Sequence, residues 1–370
     1  MSMTSRLAAA AIVVVAVGAA FVIFRPSTPG VGGLRPSPQP TVSPTPTVTP
    51  STSPVARTDY SDVPGRLLVQ HLGNALDGSE ATATDGNYGT RRFYLMSPDG
   101  SNITELLPGQ PAAGKNMADI SPDGTKVVFM DWADAPKIYE AGLDGTGFRT
   151  ITTACSCDGE SDPAYSPDGK QIAFVRKVGN TFQIGIRDLA TDTVTMLAET
   201  EGLDSGATGS EVPEQPSWST DGASIVYQMT KRDGPGDILS SQIRIIDIAS
   251  RAIRDLPIPA ELKAGEPKFS PDGSLILFVS GPAEQTLGAT FGDVYTIKPD
   301  GIAMTRLTKL GGTGASWTPD GKHIVYYQLN HVTLMDPDGS NKALWSADGP
   351  DLSTNERGYG YTTYWIPPAP

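Results

Sequence analysis

Tyr165-Ser166-Pro167-Asp168-Gly169-Lys170-Gln171-Ile172-Ala173-Phe174 is the stretch that decides the architecture of this chain. Its first half is turn chemistry. Pro presets φ, Asp accepts hydrogen bonds from the backbone just ahead of it, and Gly takes the left-handed conformation without steric cost. Its second half is a short apolar run. An apolar residue entering a tight turn, with an apolar strand leaving it, describes a hairpin. The motif recurs as Ile120-Ser121-Pro122-Asp123-Gly124, Trp218-Ser219-Thr220-Asp221-Gly222, Phe269-Ser270-Pro271-Asp272-Gly273 and Trp317-Thr318-Pro319-Asp320-Gly321. Successive aspartates are 45, 53, 51 and 48 residues apart. The following strands, such as Val127-Val128-Phe129 and Ile324-Val325-Tyr326-Tyr327, are apolar on both faces, so both faces need cover.

A second hairpin lies between copies of the first. Ile138-Tyr139-Glu140-Ala141-Gly142-Leu143-Asp144-Gly145 and Val294-Tyr295-Thr296-Ile297-Lys298-Pro299-Asp300-Gly301 are clear examples, and six such hairpins stand against five of the first kind. The two chain ends supply the missing piece. Leu67-Leu68-Val69 resembles the strand after the first turn, and Tyr364-Trp365-Ile366-Pro367 the strand before it. Four strands per unit, a period near 50 and a ring closed by both ends predict an all-β, six-bladed β-propeller. The closing blade takes its inner strand from the C-terminus and its other three from the N-terminal side.

The repeat aromatic-Ser-Pro-Asp-Gly, then Ile-x-Phe, then Ile-Tyr followed by Asp-Gly and Leu-Thr, resembles the TolB-like propeller repeat. Trp317 to Tyr326, Tyr165 to Phe174 and Val294 to Thr308 carry the likeness, which extends over about Gly65 to Pro368. The resemblance implies an exported propeller that binds proteins or peptides, or one that forms the non-catalytic half of a prolyl-oligopeptidase-like enzyme. It departs ahead of the propeller. TolB-type proteins carry a small α/β domain there, and this chain has a Pro/Thr/Ser-rich stretch.

Residues 1–25 contain an unbroken apolar or small run from Leu7 to Phe24, flanked by Arg6 and Arg25 and just long enough to span a bilayer core. Two readings are open: an uncleaved transmembrane signal anchor, which we favour, and a secretory signal cleaved after Val17-Gly18-Ala19. Residues 26–58 form the Pro-rich linker, extended and semi-rigid, that would space a propeller at 59–370 from the membrane. The expected location is the extracytoplasmic side of the cytoplasmic membrane, as part of the cell envelope.

The whole chain carries −13. Removing Arg6, Arg25, Arg35 and Arg57 leaves the part from Asp59 onward with 24 Lys and Arg against 41 Asp and Glu, a balance of −17. That surface repels phosphate backbones and argues against nucleic acid as a partner. The only cysteines, Cys155 and Cys157, lack a second pair or a nearby His for a zinc site. Two thiols or one local disulfide remain open.

No catalytic constellation is legible. There is no Gly-x-Ser-x-Gly elbow. The stretch Gly109 to Asn116 imitates a phosphate loop but ends in Asn where a hydroxyl is required. Function is expected instead on the face opposite the tight turns, at the long connections His71–Arg91, Thr153–Asp162, Leu197–Gln215, Gln228–Ser241 and Ser280–Gly292. Asp158, Glu160, Glu211 and Glu214 make this face acidic. Repeat alignment also places Met117, Asp162, Gln215, Glu266, Gly314 and Thr362 in a ring at the loop-side mouth of the central channel. Two readings of the ring are open. Its side chains cap local backbone donors, or they form an acidic mouth for a cation, with Asp162, Glu266 and Gln215 as candidate ligands for calcium or for the amino group of a protein or peptide partner. The alternative function is a metal-assisted hydrolase or lactonase-like propeller working at the same mouth.

Overall fold

The structure, a computed structural model, describes residues 65–72, 91–97, 101–108, 115–131, 135–152, 155–200, 210–232, 238–281, 292–328, 331–344 and 363–366. The expected anchor at 1–25 and linker at 26–58 lie outside these residues, as does Thr362 of the ring. Among the described residues no helix is long and apolar enough to cross a membrane.

Among the described residues, twenty-four strands form six four-stranded antiparallel sheets. The first blade holds β1 (Arg66–Leu72), β2 (Arg91–Met96) and β3 (Thr104–Leu106). The second holds β4 (Asn116–Ile120), β5 (Lys126–Asp131), β6 (Lys137–Gly142) and β7 (Arg149–Thr150). The third runs β8 (Gly159–Tyr165), β9 (Gln171–Val178), β10 (Thr181–Asp188) and β11 (Val194–Thr200). The fourth runs β12 (Ser210–Trp218), β13 (Ser224–Arg232), β14 (Ile238–Asp247) and β15 (Ile253–Asp255). The fifth runs β16 (Ala264–Phe269), β17 (Ile276–Ser280), β18 (Val294–Ile297) and β19 (Thr305–Arg306). The sixth runs β20 (Thr313–Trp317), β21 (Ile324–Gln328), β22 (His331–Met335) and β23 (Ala343–Leu344). The last strand, β24 (Thr363–Ile366), pairs with β1 through Leu67↔Trp365 and Leu68↔Tyr364 and so becomes the inner strand of the first blade. Consecutive inner strands touch, and β24 touches both β20 and β4, so the ring is closed.

The Pro-Asp-Gly turn is a self-contained network. In the third blade the Ser166 hydroxyl donates to Asp168 Oδ1 at 2.7 Å, and the Lys170 amide donates to the same oxygen at 3.1 Å. The Gln171 amide donates back to Ser166 Oγ at 2.9 Å, with Gly169 at φ 70°. The matching Ser/Thr–Asp bond repeats at 2.6–2.7 Å in the other four copies.

The second strand of each blade explains its two apolar faces. Val127 packs into the cluster shared with the first blade, while its neighbour Val128 packs with Ile172 and Phe174 of the third. Tyr227 meets the third blade's Ile184, and Val226 meets the fifth blade's Phe278. Successive residues on a strand point to opposite faces, so a sheet sandwiched between two others buries both sets.

Three connections expected to be long are shorter. Strand β8 starts at Gly159, β11 reaches Thr200 and β12 starts at Ser210, while β13 runs to Arg232 and pairs it with Ser210. These ends are polar, and an apolar pattern stops before them. The ladder continues because backbone hydrogen bonds do not require apolar side chains.

Candidate functional site

All five inner strands from β4 to β20 slip register at the same place. The breaks fall between Asn116 and Asp119, Ser161 and Ala164, Glu214 and Ser217, Gly265 and Lys268, and Thr313 and Ser316. At each break one residue is left-handed: Met117 (φ 46°), Asp162 (52°), Gln215 (52°), Glu266 (54°) and Gly314 (60°). These are the described members of the expected ring. A bulge re-aims a side chain, and the left-handed conformation costs a non-glycine residue on the order of 1–3 kcal/mol.

The re-aimed side chains link blade to blade. The Gln215 amide donates to Asp162 Oδ1 at 3.3 Å, and the Glu266 amide donates to Gln215 Oε1 at 3.1 Å. The Gly314 amide donates to Glu266 Oε2 at 2.8 Å, and the Thr313 hydroxyl donates to Oε1 at 3.3 Å. Asp162, Gln215 and Glu266 thus each satisfy the amide that the next blade's bulge releases.

Two residues further along, a second layer faces the channel: Asp119, Ala164, Ser217, Lys268 and Ser316. Only two of them are charged. They come from the second and fifth blades, three apart in a ring of six and so on opposite walls. Asp119 Oδ2 also accepts the Tyr165 amide at 2.8 Å. Both layers line one cavity of about 580 Å³, which continues toward the Pro-Asp-Gly turns.

Enclosure sets the electrostatics. Burial raises the Asp162 carboxyl to about 6; hydrogen bonds from Ser161 and Gln215 oppose the rise, and the Glu214 charge adds to it. Burial raises Glu266 too, against the Gly314 amide and the Lys268 charge. Asp119 is raised and Lys268 lowered by burial, each drawn back toward its charged form by the other. Three carboxyl groups and the Lys268 amine therefore share one confined channel.

The remaining predicted residues are dispersed. Glu214, on β12, accepts from Thr230 Oγ1 at 2.5 Å and Arg232 at 2.6 Å. Glu211 stays partly exposed, 3.7 Å from Arg244. Asp158 accepts the Gly179 amide at 2.7 Å. Glu160 is not at the surface. It is fully buried in β8, held by both Nη2 contacts of Arg187 at 2.9 and 3.0 Å and by Arg176 at 2.5 Å. Both guanidinium groups lie against the Phe174 ring. The cause is the early start of β8, which makes Glu160 a strand residue facing its own sheet. Asp119 and Lys268 were not among the expected ligands. Their signal was present in the alignment, as the two charges in a column otherwise filled by Ala164, Ser217, Ser316 and Tyr364. Cys155 and Cys157 are joined by a disulfide.

Known proteins agree with this architecture. A family model described as the TolB beta propeller domain matches residues 74–240. The chain is similar to a probable dipeptidyl-peptidase 5 of Aspergillus niger, 28% identical over 145 residues, covering 32% of this chain and 19% of that protein. It is similar to a protein TolB homolog of Chlorobium chlorochromatii (strain CaD3), 28% identical over 158 residues, covering 42% of this chain and 31% of that protein. The chain thus spans less than a third of these curated relatives. Among solved structures, TolB from Acinetobacter baumannii superposes with a TM-score of 0.56 at 20% identity, over 82% of this chain and 67% of that one. At that identity the likeness speaks for the fold alone. Residues 74–240 thus match the TolB beta propeller domain, and the six-bladed fold is similar to that of TolB.

Proposed function

We propose that this TolB-type propeller is a binding and scaffold module of the cell envelope. Residues 1–25 anchor it in the membrane, 26–58 space it, and the propeller at 59–370 stands on the extracytoplasmic side. Its channel mouth takes a cation, either calcium or the cationic group of a protein or peptide partner. Asp162 and Glu266 supply the charge and Gln215 a neutral oxygen between them.

One observation carries this reading. Gln215 caps the next blade's amide with a carboxamide. A neutral group is therefore sufficient for the structural task. Asp162 and Glu266 do the same task with carboxylates that burial opposes. A charge held where none is needed for folding is the mark of a binding group. Hard divalent ions take oxygen ligands of this kind. Asp158, Glu211 and Glu214 extend the negative field beyond the mouth and would attract a basic partner.

Calcium titration tests the reading. Millimolar calcium at pH 7.5 should raise the melting temperature of the full chain by mass action, and Asp162→Asn with Glu266→Gln should abolish most of the rise. No rise in the unaltered protein removes the calcium form. A basic peptide then remains, and its binding should weaken steeply with salt. Salt-independent binding would remove that form as well.

A further inference from the structure

We propose that the Cys155–Cys157 disulfide is a thiol–disulfide exchange site, a redox activity on the loop side of the propeller and separate from the channel. The pair encloses one residue, Ser156. A structural disulfide stabilises by restricting the unfolded chain, and its effect grows with the loop it closes. This one closes almost nothing and joins no two blades. The segment is anchored without it. The Asp158 amide donates to the Lys177 carbonyl at 2.8 Å, the Glu160 amide donates to the Pro136 carbonyl at 2.8 Å, and the Asp158 carboxylate accepts from Gly179 at 2.7 Å.

The surroundings suit exchange. Cys155 and Ser156 are exposed, and Cys157 is half-buried. Exposed disulfides within short loops are the labile and catalytic ones, because access to sulfur governs attack. A Glu160 oxygen lies within 4.8 Å of both sulfurs. Its charge is balanced by Arg187 and Arg176, so an incoming thiolate does not meet a bare carboxylate. The same pairing disfavours a metal on the three groups, since a cation would have to displace two guanidiniums.

The co-reactant is a protein thiol or dithiol. Its thiolate attacks Cys155 Sγ, carried by the more exposed of the two residues. A bond forms between the two, the Cys155–Cys157 bond breaks, and Cys157 leaves as a thiolate that takes up a proton. A second thiol of the partner then attacks the partner's own sulfur in the mixed disulfide. Cys155 leaves as a thiolate and is protonated. Two partner thiols become a disulfide, and two electrons and two protons pass to the Cys155–Cys157 pair.

The full chain is incubated with reduced glutathione in excess over oxidised glutathione, quenched with an alkylating agent and weighed, with melting followed in parallel. The native protein should become a dithiol, and its melting temperature should move by less than ~2 °C, because no long loop is opened. With oxidised glutathione, Cys157→Ser should form the glutathione adduct at Cys155 roughly tenfold faster than Cys155→Ser forms it at Cys157, as accessibility requires. A disulfide that opens only on unfolding overturns the proposal. So does a large fall in melting temperature on reduction or in the doubly substituted Cys155→Ser, Cys157→Ser protein, which would mark a staple. Equal or reversed adduct rates overturn the assignment of Cys155 as the attacked sulfur.

Discussion

Asp162→Asn should make the protein more stable at neutral pH, and not at pH 4. Burial lifts the Asp162 carboxyl from 3.8 to about 6. Its folded value lies above its unfolded value, so protonation favours the folded state. The stabilising contribution is complete below pH 3.8 and is lost as pH rises through 6. The interval of about 2.2 units corresponds to ~3 kcal/mol at 1.36 kcal/mol per unit. Solvent reaching an open channel would screen part of this, and about 1–3 kcal/mol is the working range. Asparagine keeps an oxygen for the Gln215 amide, as Gln215 itself does for Glu266. Urea denaturation of the full chain at pH 4, 6 and 7.5, with and without the substitution, isolates the effect. Contributions from Glu266, Asp119, Glu214 and Arg232 are present in both proteins and largely cancel in the difference. The substituted protein should gain about 1–3 kcal/mol at pH 7.5, and the gain should vanish by pH 4. A gain that does not change with pH, or a loss at pH 7.5, would refute the argument that enclosure governs the ring.

Glu160→Gln should destabilise by roughly 3 kcal/mol in denaturant, because Arg187, almost wholly buried, loses its buried carboxylate partner and keeps only the half-exposed Asp192. Removal of residues 359–370 deletes β24 and exposes the edge of β1; differential scanning calorimetry should show a much lower melting temperature, and an unchanged one would defeat ring closure. Asp272→Ala should cost about 1 kcal/mol at pH 7, from the lost bonds of Ser270 and Ser274. The Ser270 hydroxyl holds the Asp272 carboxyl below its usual value, so this difference should persist at neutral pH and shrink as pH falls through that lowered value.

Part of the candidate site was legible one strand at a time. Aligning the inner strands places Met117, Asp162, Gln215, Glu266 and Gly314 at equivalent positions, and the five share one left-handed bulge. Their hydrogen-bond partners were not legible. Each bond crosses to the next blade, about fifty residues away, and no local pattern reveals which amide a bulge leaves free. Glu160 illustrates the opposite error. Between Asp158 and Asp162 it reads as one member of an acidic run, whereas the strand turns it onto Arg176 and Arg187.

Turn chemistry and two-faced apolar strands were enough, in sequence alone, to determine the blade, its repetition and the closure of the ring by both chain ends. Those features depend on local conformation and on burial, which each repeat encodes for itself. The tertiary structure alone decided the electrostatics of the channel. Asp119 and Lys268 are 149 residues apart in sequence and ordinary within their own strands. They become opposed charges only when six blades enclose them, because the cost of a charge depends on what surrounds it and not on its neighbours in the chain.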